Sequence, residues 1–149
     1  ESGLLREAAG QLEGAPLQSV VRRLRQHIQE EQAAIDGADV ATRAFLLADF
    51  HVCLAECLGH RLLSDMLRDL TARTTLVATL YQSTHDARAS CADHARIVAA
   101  IERGAFDHAA ALMLEHIGNV EDALGHSAGA SADAHEKLRA TLAPLRVGR

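Results

Sequence analysis

The sequence predicts an all-α domain, an antiparallel bundle of about six helices around a central pocket. Apolar residues recur at three- and four-residue spacing along most of the 149-residue chain, which is the period of a helix with one buried face. The composition is 48% hydrophobic but only 3% aromatic, as is typical of helical proteins rich in alanine and leucine. No segment has the alternating pattern of a strand, and proline occurs only at Pro16 and Pro144.

Each of the first four predicted helices carries an apolar stripe and ends at a glycine or a polar turn. These helices cover residues 3–13, 17–35, 40–58 and 61–81. The breaks between them fall at residues 14–16, 36–39 and 59–60.

The last two predicted helices form a hairpin. They cover residues 91–103 and 106–124, and Gly104 separates them. Ser90, at the end of a polar stretch, is the best-placed N-cap of the fifth helix. We expect residues 125–149 to form a peripheral tail, with a short helix over residues 131–142.

Three histidines share helix faces with apolar residues. His94 and His116 lie on either side of Gly104, each about 15 Å from it at 1.5 Å of rise per residue, so a hairpin would bring them to the same level. His51 lies on an apolar stripe of the third helix. We therefore expect all three imidazoles to enter one interior.

Three buried imidazoles favour a metal site. Neutral imidazole binds zinc, nickel, copper or iron, and three of them leave coordination positions open for water or a small acid. The alternative is a set of structural histidines, each hydrogen-bonded within the core. A thiolate from Cys57 or Cys91 is a further candidate ligand, although Cys53, Cys57 and Cys91 are more typical of small core residues.

The charge of the chain argues against some functions. A net charge of −5, from 15 basic and 20 acidic residues, disfavours a nucleic-acid surface. The basic cluster Arg22, Arg23 and Arg25 is followed by Glu30 and Glu31, which is typical of a solvated helix face. No apolar run reaches the length of a membrane span. Three cysteines without a disulfide framework, and no signal peptide, favour the cytoplasm.

Two groups of residues form a pattern within a stretch from about residue 17 to residue 124. The first group is Asp49, Phe50, His51, Leu54, Ala55 and residues 58–63. The second group is Ser90, Asp93, His94, Ile97, Val98, Ala100, Ile101, Gly104, Ala109, Ala110, Met113, Glu115 and His116. This pattern resembles the FCD domain, the C-terminal effector-sensing half of many GntR-type bacterial transcription regulators, and the paired-histidine hairpin is its most specific part.

The resemblance implies a helical bundle that encloses a divalent metal, commonly zinc or nickel, with an organic acid bound on or beside it. The family's ligands are one carboxylate and three histidines, and His51, His94 and His116 match the histidine positions. The carboxylate position, one turn before the first histidine, is Leu47 here. Asp49 lies about 160° around the helix from His51, so we expect it to face elsewhere.

An acid-binding pocket needs a counter-charge, and Arg73 on the fourth helix is our candidate. It lies on a segment that resembles the family's pocket-lining helix, and a surface ion pair with an aspartate is the alternative. Thr74 and Asn119 are further candidate effector-binding residues. His60, where the family has asparagine, is expected to cap the helix turn or to contact the effector.

These features predict the effector-sensing and dimerisation domain of a GntR-type regulator, not an enzyme. We expect this domain to cover residues 1–124, and DNA to be contacted by a winged-helix segment upstream of Glu1. The apolar first helix is a candidate for the homodimer contact. The alternative is a metal-dependent hydrolase or transferase of a three-histidine bundle type, in which an open metal position activates water.

Overall fold

Six α-helices form the described part of the chain. The computed structural model describes the backbone of residues 1–9, 11–37, 39–81 and 83–141, and the side chains of these residues except 73, 74, 76, 77, 79–81, 85 and 124–141. The helices are α1 (Ser2–Ala8), α2 (Gly14–Asp36), α3 (Val40–Cys57), α4 (Arg61–Tyr81), α5 (Thr84–Glu102) and α6 (Phe106–Thr141). Because the described residues contain no strand, the predicted all-α class is confirmed.

The helices pack as a bundle with α3 and α5 near its centre. Helix α3 contacts α2, α4 and α5, and α5 contacts α2 and α6. The main core lies between these helices, and its largest fully buried apolar side chains are Leu5, Leu24, Phe50, Leu54, Ile97, Val98, Ile101 and Met113. A smaller cluster of Ile35, Leu47, Ala87 and Cys91 joins α2, α3 and α5.

Glycines in the left-handed region close the two tight turns of the bundle. Gly59 has φ +80° and Gly104 has φ +70°, values that glycine adopts without strain. After each helix a backbone N–H reaches back to a carbonyl in the last turn, as in His60 N–H to Ala55 O (3.0 Å) and Ala105 N–H to Ala100 O (2.9 Å). These turns fold α4 back on α3 and α6 back on α5, as the sequence predicts.

The start of α5 differs from the prediction. The helix begins at Thr84 rather than Cys91, because Ser83 and Asp86 form a reciprocal capping box. Ser90, the predicted cap, is instead buried inside the helix. The additional turns bury Ala87 against the cluster around Ile35.

Other helix boundaries also move. Helix α1 ends at Ala8, where the extended backbone of Ala9 (φ −60°, ψ 122°) stops it, five residues before the predicted end. Helix α2 begins at Gly14, because Pro16 needs no hydrogen-bonded N–H in a first turn. The predicted break after residue 124 is wrong, because α6 continues through Gly125 and Gly129 to Thr141.

The apolar face of α1 is used inside the bundle. Leu5 is fully buried in the main core, and Leu4 packs against a smaller cluster of Val52, Ala55 and Leu67. The prediction that this helix provides a dimer contact is therefore not supported. Among the described residues, no helix combines the length and apolarity that crossing a membrane requires.

Candidate metal centre

Three imidazoles from three helices meet inside the bundle. His51 lies on α3, His94 on α5 and His116 on α6, and each offers a ring nitrogen within 4.8 Å of the others. His94 is 0% exposed and His116 1% exposed. The convergence expected from the helix faces is thus present, and these three are the residues in the described part of the chain that could share one metal ion.

The distance between His94 and His116 fits two ligands of one ion. Their Nε2 atoms lie 3.1 Å apart. Two nitrogens bound to zinc at about 2.0–2.1 Å with tetrahedral angles are about 3.3 Å apart. Phe50 stacks on the ring of His94, with centroids 3.8 Å apart and an interplanar angle of 10°, and so fixes the plane of that ring.

A carboxylate lies behind each imidazole. Both oxygens of Glu31 lie 2.9 and 3.0 Å from Nδ1 of His94, and Oε2 of Glu1 lies 2.6 Å from Nδ1 of His51. Oδ2 of Asp93 lies 3.6 Å from Nδ1 of His116, which is beyond hydrogen-bond distance, and this buried Nδ1 has no hydrogen-bond partner among the described residues. Carboxylates at Nδ1 orient a ring and leave Nε2 for a metal, which is the usual arrangement around histidine ligands.

Sequence reasoning missed Glu31. The basic cluster before it predicts a solvated helix face for Glu31, yet its side chain is 0% exposed. The signal that could have identified it is its spacing, since Leu24, His27, Glu31 and Ile35 are buried on one face of α2. The arginines themselves lie at the surface as expected: Arg23 pairs with Glu56.

Burial controls the charge of the centre. Burial, reinforced by the neighbouring imidazoles, lowers the pKa of His94 well below its usual value and the pKa of His116 to about 4. Burial also raises the pKa of Glu31 to about 9. Both imidazoles are therefore neutral at pH 7, which is the form that binds metal ions.

Two proton arrangements fit the distances around His94. A protonated Glu31 would donate its O–H to Nδ1 of His94, and the Nε2–H of His94 would then donate to Nε2 of His116. An ionised Glu31 would accept from Nδ1–H of His94, and both Nε2 atoms would present lone pairs to a cation. The first arrangement fits the metal-free protein, in which the raised pKa of Glu31 keeps its carboxyl neutral at pH 7. The second is the arrangement that a bound cation would need, with the third nitrogen supplied by His51.

A cavity of about 350 Å³ opens beside the centre. His51 and His116 line it, and the other lining residues come mainly from α3, α4 and α6. They are Glu1, Ala44, Leu47, Ala48, Leu67, Leu70, Thr71, Thr75, Ala78, Ser90, Ile117 and Val120. A larger open groove of about 1040 Å³ runs along α2 past Arg22 and Arg25, but none of the three histidines lines it.

The predicted effector residues fall in different places. Asn119 lines a smaller cavity of about 160 Å³ that shares His116 with the first, and its Nδ2 lies 3.5 Å from Asp93. His60 is at the α3–α4 turn, where Nε2 lies 3.8 Å from Glu7, and it does not line either cavity. The side chains of Arg73 and Thr74 lie outside the described residues.

The cysteines are free and lie in or beside the core. Cys53 belongs to the main core, Cys57 packs against it, and Cys91 belongs to the cluster around Ile35. None of them joins the histidines in the metal-binding group found among the described residues. They act as small core residues, the role that the sequence favours.

Comparison with known families identifies the fold. The family model described as FCD domain matches residues 1–119. The chain belongs to the FCD family. FCD domains are the regulatory, effector-binding domains of GntR-type regulators and are not enzymes, and they often bind a metal. No curated protein and no solved structure gave a significant match to the chain.

This FCD domain has no carboxylate one turn before His51. Leu47 occupies that position and lines the cavity. Asp49 is not part of the metal-binding group, as its position on the helix predicts. The protein ligands that the described residues offer are therefore three imidazoles and no carboxylate.

Proposed function

We propose that this FCD domain is the effector-sensing and dimerisation domain of a GntR-type transcription regulator. In this proposal a small organic acid binds at or near the three-histidine metal centre and modulates DNA binding. One observation carries the proposal: three imidazole nitrogens lie within 4.8 Å of one another, and two of their rings line a cavity large enough for a small acid.

His51, His94 and His116 would hold the metal, which we propose to be zinc or nickel. The donor set supports this, because neutral imidazoles suit both ions. A divalent ion there supplies positive charge and open coordination positions for a carboxylate. The chain orients His94 through Glu31 and His51 through Glu1, and the stacked ring of Phe50 excludes water from one side of His94.

The response to the effector would be a shift between two arrangements of the bundle. The cavity is lined by residues of α3, α4 and α6, so an acid bound there contacts three helices at once. The arrangement that binds the acid more tightly gains population, and at saturation the population ratio changes by the ratio of the two affinities. We propose that this change repositions winged-helix segments upstream of Glu1, which would bind DNA in the cytoplasm of a bacterium.

The same carboxylates argue against a hydrolytic role. A metal-dependent hydrolase needs a general base beside the open position of the metal. Glu31 and Glu1 are both hydrogen-bonded to ligand imidazoles, and Asp93 faces Nδ1 of His116 and the amide of Asn119. We therefore propose a sensor and not an enzyme.

A homodimer is also part of the proposal. Leu62, Met66 and Leu70 follow one another at one-turn spacing along α4 and are 77%, 61% and 56% exposed. An exposed apolar row of this kind is typical of a surface that is covered in an assembly. Measuring the molar mass in solution, for the wild type and for Met66→Asp, tests this part.

Metal content tests the centre. Protein purified without a nickel column and reconstituted with zinc is expected to hold about one ion per chain. The double variant His94→Ala, His116→Ala is expected to hold none, while retaining its helical circular dichroism. A wild type that binds no metal would leave only the structural role for the histidines.

The upstream reading frame tests the regulatory role. The proposal expects that frame to encode a basic winged-helix segment that continues into Glu1. The complete protein is then expected to bind its operator with an affinity that a carboxylate effector changes, as a gel-shift assay would measure. An upstream segment with no DNA-binding fold would contradict the proposal.

A further inference from the structure

The start of α1 reaches the histidine cluster through one polar side chain. Oε2 of Glu1 lies 2.6 Å from Nδ1 of His51, although 50 residues separate the two in the chain. Both side chains are largely buried, with 11% of Glu1 and 16% of His51 exposed. An ionised carboxylate can only accept a hydrogen bond, so Nδ1 of His51 carries the proton and donates to Glu1.

The backbone of Glu1 also begins the helix. Glu1 is the N-cap of α1, and its carbonyl oxygen accepts from the N–H of Leu5 at 3.3 Å. Its side chain makes no capping hydrogen bond and is therefore available to His51. Placing this side chain against His51 consequently fixes the point at which α1 starts.

Helix α1 is short and depends on its contacts with the rest of the bundle. A helix of seven residues is not stable in water by itself. Within the described part of the chain, its buried side chains are Leu5 and Ala8, and it packs mainly against α6. A segment with so few buried side chains is expected to open locally, at a smaller free energy than global unfolding.

A metal ion on Nε2 of His51 would strengthen the contact at Nδ1. A cation bound to one imidazole nitrogen draws electron density from the ring, so the N–H of the other nitrogen becomes a stronger donor to a carboxylate. The carboxylate in turn makes the ring a better metal ligand. Because such coupling is reciprocal, the factor by which Glu1 tightens metal binding equals the factor by which the metal stabilises the placement of Glu1.

We propose that metal binding at the histidines holds α1 in place through the hydrogen bond from His51 to Glu1. This inference rests on the proposed function, because it takes His51 as a metal ligand. It adds a route for regulation, since the first turn of α1 opens more often in the metal-free chain. The DNA-binding segments proposed upstream of Glu1 would then respond to the state of the centre at the point where they are attached.

Hydrogen exchange at the amide of Leu5 tests the proposal on the full chain, measured by NMR with and without saturating zinc. This amide donates to the carbonyl of Glu1, so its exchange reports whether the start of α1 is in place. Zinc is expected to slow its exchange about 10- to 100-fold, the usual contribution of a carboxylate behind a histidine ligand. In Glu1→Gln most of this slowing should be lost, and the zinc dissociation constant should rise by about the same factor.

Glu7→Gln is the matched control. Glu7 is on the same helix and is 60% exposed, with His60 as its partner at 3.8 Å, so its replacement removes the same charge away from the cluster. This variant is expected to bind zinc and to slow exchange at Leu5 as the wild type does. A second readout needs no variant: zinc should move the Nδ1 proton resonance of His51 in the wild type downfield, as a stronger hydrogen bond does.

The outcomes separate this inference from the proposed function. Zinc that binds to the wild type without slowing exchange at Leu5, or without moving the Nδ1 proton of His51, overturns the inference and leaves the metal centre standing. Equal slowing in Glu1→Gln and the wild type also overturns it, because another contact would then hold α1. A wild type that binds no zinc overturns the proposed metal centre, and this inference with it.

Discussion

Replacing Glu31 by glutamine isolates the role of its charge in metal binding. Glutamine keeps the size of the side chain and one oxygen that can accept from Nδ1–H of His94, but it removes the negative charge behind the ring. We expect Glu31→Gln to raise the zinc dissociation constant about 10- to 100-fold, the usual effect of losing a carboxylate behind a histidine ligand. That range corresponds to about 1.4–2.7 kcal/mol.

The assay is competition for zinc against a chromogenic chelator, with the visible spectrum of the cobalt-substituted protein as a second readout. The cobalt spectrum reports the ligand geometry and would not respond to a purely structural change elsewhere. Because burial raises the pKa of Glu31 to about 9, the carboxyl is largely neutral in the metal-free protein. The metal-free variant is therefore expected to unfold within about 1 kcal/mol of the wild type.

Glu30→Gln is the matched control. Glu30 is the preceding residue of the same helix, and it is exposed and paired with Gln26 at 3.1 Å, so its loss removes the same charge from the surface. We expect this variant to bind zinc as the wild type does. If Glu31→Gln also binds zinc with the wild-type affinity, the carboxylate does not support the centre and the reasoning is wrong.

Three further predictions concern single side chains. Leu47→Asp places a carboxylate one turn before His51 at the cavity wall, and it should tighten zinc binding in the same competition assay; an unchanged affinity would mean that this position does not reach the ion. In the metal-free protein, the pKa of His116 is about 4 when folded and 6.5 when unfolded, so the unfolded chain binds more protons between these values and stability falls as the pH falls through this window. In urea titrations, His116→Gln should remove up to about 3 kcal/mol of this dependence of the unfolding free energy on pH. Glu31 contributes a dependence of the opposite sign, which is the same in the variant and the wild type. Plots of unfolding free energy against pH that run parallel for the two proteins would refute the assignment. Ser83→Ala removes the capping box of α5 and should cost about 1 kcal/mol in the same titrations, while a neutral result would show that the additional turns depend on packing alone.

Features that depend on local spacing could be predicted from the sequence. The turns at Gly59 and Gly104 require a left-handed residue, and both fold the chain back as expected. The inward direction of His94 follows from its apolar neighbours at three- and four-residue spacing. The fold class and the inward-facing histidines therefore needed no tertiary information.

The helix boundaries that were mispredicted depend on packing partners. The sequence predicts Ser90 as the N-cap of α5, but Ser83 caps it in the structure, and the contact of Ala87 with the cluster around Ile35 favours this earlier start. The continuation of α6 past Gly125 and Gly129 shows that glycine lowers helix propensity without necessarily ending a helix.

The environment of Glu31 was beyond sequence reasoning for a different reason. Its spacing with Leu24, His27 and Ile35 indicates the buried face of α2, but no local feature identifies its partner. Its partner His94 is 63 residues away, and only the packing of α2 against α5 brings the two together. Other tertiary contacts bring Glu1 to His51 and Asp93 near His116.

The amino-acid sequence alone determined that the chain is a helical bundle and that three histidines face its interior, because helix periodicity is a local property of each segment. The tertiary structure decided the distances between those histidines, the burial of Glu31 and the apolar walls of the cavity. Each of these depends on how closely helices distant in the chain approach one another, and this approach is set by the complementary shapes of their side chains.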